Sequence, residues 1–170
     1  MVLWHAGLGA LITYISLGRR RIDYRYVLLG AVLPDVVDAI AAFFIELPSL
    51  RGPAHTLLVV VAVAVLIVVF FRAERRLAVF GLAVGWLTHL VADGMWAAPR
   101  TLYWPAFGTA FESSPRESYS VDLIVHPADH LAAWGAEFVG LAILVWFWVA
   151  FGLGRGDRLR QFLQDGYLRP

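Results

Sequence analysis

The 170-residue chain is 60% hydrophobic and only 16% charged, with a formal net charge of +1. Soluble domains run at roughly 45–50% apolar, so this composition points to an integral membrane protein, and it leaves no basic surface for binding nucleic acid. There is no cysteine, which excludes disulfides and thiolate chemistry; any metal must be held by imidazole and carboxylate.

Five apolar stretches follow one another: Leu3–Leu17, Tyr26–Leu47, His55–Phe71, Leu77–Trp96 and Leu131–Leu153. Each approaches the roughly 20 residues that cross the hydrocarbon core. They predict an all-α polytopic membrane bundle of about five transmembrane helices over residues 1–154. Residues 155–170 read as a separate amphipathic tail, with Leu159, Phe162 and Leu163 on one stripe and arginines opposite, lying on the cytoplasmic leaflet. Pro34 interrupts the second stretch and is expected to kink its helix. The first stretch reads as a span rather than a cleaved signal, because its charges follow the apolar run.

All 14 basic residues are arginine. Five crossings would put eleven on one side, among them Arg19, Arg20, Arg21, Arg25, Arg72, Arg75 and Arg76, and only Arg51, Arg100 and Arg116 on the other. The positive-inside bias then predicts an amino terminus outside and a carboxy terminus in the cytoplasm. That orientation sets all five histidines in the outer half or on the outer surface. The long connection from Ala97 to Asp129 also lies outside, where its aromatics suit the interface and its length suits a functional loop.

Ionisable groups inside the hydrocarbon cost roughly 2.5–3.5 kcal/mol each and are usually functional. His89 and Asp93, four apart, share one helix face, and Asp35 and Asp38, three apart, share another. His55 follows Arg51-Gly52-Pro53 and is expected in the first turn of its helix, where proline is tolerated. Helical rise puts Asp35, Asp38, His89 and Asp93 in one layer. His5 and His55 come out shallower unless their short helices begin below the surface. Asp35 can alternatively cap the helix that resumes after Pro34, and a histidine can simply be a hydrogen-bonded bundle residue. His126, Asp129 and His130 read as surface or helix-start residues. Glu137, two turns deeper than His130, calls for a partner. The joint reading is a site for one or two divalent ions, zinc first, held by His5, Asp35, His55, His89 and Asp93, with Asp38 next in line.

Four ordered pieces carry a resemblance: Trp4-His5-Ala6-Gly7, Leu33-Pro34-Asp35-Val36-Val37-Asp38, Arg51-Gly52-Pro53-Ala54-His55-Thr56 and Gly85-Trp86-Leu87-Thr88-His89-Leu90-Val91-Ala92-Asp93, followed by Trp104-Pro105. Together they resemble the membrane-bound metal-dependent hydrolases typified by the LexA-regulated inner-membrane protein YdjM. The resemblance implies a helical hydrolase of a prokaryotic inner membrane, with a distant kinship to zinc-dependent phospholipase C. Two departures stand out. Leu50 replaces a histidine that many members carry before the Arg-Gly pair, and the second aspartate, Asp38, falls one residue later than the common Pro-Asp-x-Asp.

The expected function is therefore metal-dependent hydrolysis of a phosphoester or ester bond in a lipid-like substrate. The metal would activate water and polarise the oxygen under attack. Arg51 would steady the anion, and Asp38 or Glu137 would serve as general base. Membrane lipid is the expected partner; the oligomeric state is left open. One rival is a metal or proton transporter, which needs polar groups on both sides of the midplane. The other is a non-catalytic protein with a structural metal, every coordination position filled by the chain.

Overall fold

The computed structural model describes residues 1–18, 22–44, 51–112 and 130–169, and all regular structure among them is helical. Helix α1 (Val2–Leu17) ends at Gly18, whose positive φ of 74° lets its N–H turn back to the Tyr14 carbonyl. Asp23 caps α2 (Tyr24–Gly30) by accepting the Arg25 N–H at 2.9 Å. Helix α3 (Leu33–Phe44) follows. The interruption expected at Pro34 is thus a full break at Ala31 and Val32. Pro34 falls in the first turn of α3, where its missing N–H costs nothing.

A 3₁₀ turn over Pro53–His55 precedes α4 (Leu57–Phe70), which Thr56 caps by accepting the Val59 N–H. His55 therefore sits ahead of the helix rather than in its first turn, because the cap falls on the residue after it. Helices α5 (Ala73–Val79) and α6 (Gly81–Ala92) are separated only by Phe80. Gly94, at φ 63°, turns the chain into a short turn at Met95–Ala97 and α7 (Pro99–Leu102). The long apolar α8 (Leu131–Ala150) and the amphipathic α9 (Gly156–Asp165) complete the order.

Two stretches are long and apolar enough to cross a membrane: Tyr24–Phe44, taken through the break, and Leu131–Ala150. Val2–Leu17 and Leu57–Phe70 are apolar but shorter. The bundle also hides polar groups and shows apolar ones. Phe43, Phe44, Phe70 and Leu131 are each more than 70% exposed, whereas Asp38, His55 and His89 are fully buried. An exterior of this kind suits lipid and not water.

Helix α1 packs against α8, α6 and α2, and α6 also carries α2 and α4, so α1 and α6 form the centre. Small residues allow these approaches. Gly7 of α1 lies backbone to backbone on Gly140 of α8, and Gly85 of α6 lies against the Val27 carbonyl of α2; a Cβ at either glycine would collide with backbone. At the end away from the histidines, Ala10, Tyr24, Phe147, Phe151 and Leu168 form a closed apolar cluster.

Beyond the tail helix, Leu168 and Gly166 tie the end of the tail to the bundle. The Gly166 carbonyl accepts the Tyr24 N–H at 2.9 Å, and Arg25 Nη1 donates to the Leu163 carbonyl at 2.5 Å. Of the expected apolar stripe, Phe162 packs towards the cluster while Leu163 stays 61% exposed. Replacing Gly7 with valine should prise α1 from α8 and cost about 1–3 kcal/mol, the usual range for overpacking. A lower melting temperature in detergent would show it; an unchanged one would contradict the packing of α1 on α8.

Candidate metal centre

Three histidines meet at one end of the bundle, each brought by a different element. His5 lies in the second turn of α1, His55 ends the 3₁₀ turn, and His89 lies near the end of α6. All three are at most 2% exposed. Asp35, from the first turn of α3, and Asp93, the residue that caps the end of α6, join them. The two histidines that looked shallow reach the layer of His89 because α1 and the turn before α4 begin at that depth.

Each imidazole is fixed from behind. His89 Nδ1 lies 2.8 Å from the Ala31 carbonyl, His55 Nδ1 2.6 Å from Asp38 Oδ2, and His5 Nδ1 2.5 Å from the Met1 carbonyl. A carbonyl or ionised carboxylate can only accept, so each Nδ1 carries the proton and donates it. In its neutral form each ring then presents an Nε2 lone pair forward. The break between α2 and α3 matters here, since it puts the Ala31 carbonyl outside both helices, where His89 uses it.

The forward atoms crowd together. His55 Nε2 and His89 Nε2 are 3.1 Å apart, and Asp35 Oδ1 lies 3.5 Å from each. Asp93 Oδ2 is 3.5 Å from His55 Nε2. With both rings neutral the two facing lone pairs repel, and two carboxylates beside them add negative charge. Ligands at about 2.0–2.1 Å from a tetrahedral ion stand about 3.3–3.4 Å from one another, so this spacing is that of a coordination shell. The residues therefore fit a divalent cation. His55, His89 and Asp93 form one group able to hold an ion, and His5, Asp35 and His89 form another.

The other expected site residues take different places. Asp38 does not face the shared atoms. Its two oxygens accept from Gly52 N at 2.6 Å, Ala54 N at 2.9 Å and His55 Nδ1, so it holds the turn and the ring in position. Arg51 reaches the rim, with Nε 3.1 Å from Asp93 Oδ2, Nη2 3.3 Å from the Asp93 carbonyl and a side chain 44% exposed. Glu137 stands beside the cluster. Its Oε2 accepts the Leu3 N–H at 2.8 Å in the first turn of α1, where a carboxylate also suits the helix dipole. His130 directly precedes α8; His126 and Asp129 lie outside the described residues.

Reading residue types could not find the backbone partners, namely the carbonyls of Met1 and Ala31 and the N–H groups of Gly52 and Ala54. The nearest signal was the Arg51-Gly52-Pro53 run ahead of His55. Two tryptophans brace the same region. Trp86 Nε1 donates to the Ala54 carbonyl at 2.7 Å, and Trp4 Nε1 to the Ala92 carbonyl at 3.4 Å.

The model of the YdjM inner membrane protein family matches residues 1–156, and the chain belongs to that family. The match takes in every residue of the cluster and stops where α9 begins. No curated protein and no solved structure matches the chain.

Asp38→Asn should leave one of the three N–H donors facing an amide NH₂ and loosen His55. Metal affinity, followed by titration of the purified protein, is expected to fall about 10–100-fold, as for other groups that orient a metal-ligating histidine. Unchanged affinity would contradict this role for Asp38.

Proposed function

We propose that this member of the YdjM inner membrane protein family is a membrane-embedded, metal-dependent hydrolase that cleaves a phosphoester or ester bond in a lipid-like substrate. The observation that carries the reading is the His55–His89 pair, whose Nε2 atoms meet at 3.1 Å with both Nδ1 protons committed elsewhere. Zinc suits the nitrogen and oxygen donors. When bound, such an ion lowers the pKa of water and draws charge from a phosphoryl or carbonyl oxygen.

The chain's own groups supply the remainder. Asp35 is the exposed member of the cluster, with 39% of its side chain accessible. The α3 residues that follow it, Val36, Val37 and Ile40, are exposed and apolar. An opening bordered in this way favours a substrate arriving from the hydrocarbon. Arg51, on the rim beside Asp93, is placed to hold an anionic oxygen of that substrate. Of the two carboxylates expected as general base, Asp38 has both oxygens committed to N–H donors. Glu137 accepts the Leu3 N–H through Oε2 and faces the Met1 ammonium at 3.9 Å through Oε1, so a base role for it runs through Oε1 beside that ammonium.

A conducting path is disfavoured by the apolar cluster of Ala10, Tyr24, Phe147, Phe151 and Leu168, which closes the opposite end among the described residues. The arginine asymmetry supports setting the site towards the outer leaflet.

The test is release of headgroups or fatty acids from mixed lipid vesicles. Chelation should abolish release and added zinc should restore it. His89→Ala should lose metal and turnover together. Arg51→Ala should keep its metal and lose about 10²–10³-fold in turnover, the usual cost of removing a charge-stabilising donor. Full turnover by metal-free protein would end the proposal.

A further inference from the structure

The end of the bundle away from the histidines carries a recess that no step of the proposed chemistry uses. It lies where α9 and the segment after it fold back on the end of α8, and it measures about 180 Å³ with its open mouth counted. Phe151 and Leu153 make its apolar wall, and Arg158, Gln161, Tyr167 and Arg169 make the polar one. Arg158 and Gln161 are three apart on α9 and share a face. The turn at Gly166, with φ 73°, brings Tyr167 and Arg169 back to them. Arg158 Nη1 donates to the Arg169 carbonyl at 3.4 Å, and Arg169 pairs with Asp165. These contacts hold two guanidinium groups at one recess, and the five N–H donors of each let such contacts coexist with a phosphate.

The surroundings say what fits there. Trp146 and Trp148, in the last turns of α8, are each 46% exposed. Tryptophan exposed near the end of an apolar helix marks the level of the lipid headgroups. Leu163 of the amphipathic α9 is 61% exposed at the same end, as suits a helix lying in that interface. The arginine asymmetry sets this end towards the cytoplasm, where the leaflet is rich in anionic lipid. We propose that the recess seats the phosphate of an anionic phospholipid between Arg158 and Arg169. Gln161 and Tyr167 then meet its ester and glycerol oxygens, and the start of an acyl chain runs along Phe151 and Leu153. A zwitterionic headgroup fits less well, because it brings its own ammonium towards the two arginines. The seat is separate from the metal centre and does not rest on the hydrolase reading.

Lipid retention tests it. The full chain in non-ionic detergent, with or without chelator, should keep one phosphatidylglycerol by native mass spectrometry and lose phosphatidylcholine. Arg158→Gln and Arg169→Gln should each weaken that retention about 10-fold, the usual worth of a charge-assisted hydrogen bond. Arg160→Gln should leave it unchanged, since Arg160 is two residues from Arg158 and so on the opposite side of α9. Equal loss in all three variants would reduce the effect to diffuse attraction by a charged tail and overturn the seat. Equal retention of phosphatidylcholine would overturn it too, as would retention indifferent to Arg158 and Arg169, because the lipid would then lie elsewhere. Displacement of the lipid by excess inorganic phosphate would show a plain anion site instead. Hydrogen exchange locates the lipid without any variant. Phosphatidylglycerol should slow amide exchange over residues 156–169 of the wild type, and no slowing there would overturn the proposal even if the variants fail to fold.

Discussion

Two imidazole nitrogens stand 3.1 Å apart in the interior of this bundle, each on a ring whose other nitrogen is held by an acceptor behind it. Burying polar groups without a partner costs several kcal/mol, and more beside like charge. The neighbouring parts of the chain are arranged to keep this confrontation in place. Asp38 is spent on the back of His55 and on two backbone N–H groups of its turn. The helix that would have run straight through residues 24–44 is broken at Ala31, and the freed carbonyl turns His89. A bound cation would convert each of these costs into coordination, which is why a metal lies at the centre of both the structural and the functional reading.

The scaffold serves the same end. His5, His89 and Asp93 are set on or at the ends of α1 and α6, the two helices with most neighbours, and glycine contacts leave these helices little freedom to slide. Donors held on such elements keep their spacing better than donors on loops. The exposed apolar exterior leaves the membrane to bear on the outside of the bundle, while the polar groups are gathered within. At the far end, the segment after α9 tucks Leu168 between α1, α2 and α8 and so ties the last residues of the chain to the helix that carries His5. That tie lies beyond the part matched by the family.

Much of the fold was legible because lipid-facing helices are uniformly apolar and their ends are marked. The five apolar stretches correspond to α1, α2 with α3, α4, α5 with α6, and α8. The breaks were less legible. A proline at residue 34 announces an interruption but not its form, since proline fits equally in a kinked helix and in the first turn of a new one. At the site, His5, Asp35, His55, His89 and Asp93 could be gathered from spacing and from the cost of burying them. Asp38 could not be sorted from Asp35 in that way. Three residues apart on one helix they share a face, and only the path of the chain through Gly52 and Ala54 shows that one faces the shared atoms while the other supports a ring. The anchoring of the tail's end was not legible for a similar reason. An amphipathic stripe predicts burial against something apolar, and lipid and a bundle end are equally apolar.

The central claim is that a divalent ion bridges His55 and His89. X-ray absorption at the zinc edge of the metal-loaded protein observes that ion's surroundings directly. The expected spectrum shows a shell of nitrogen and oxygen at about 2.0–2.1 Å, with the outer scattering of at least two imidazole rings, and it loses ring scattering when His55 is replaced by alanine. A zinc ion surrounded by oxygen alone, or a spectrum indifferent to His55 and His89, would contradict the claim.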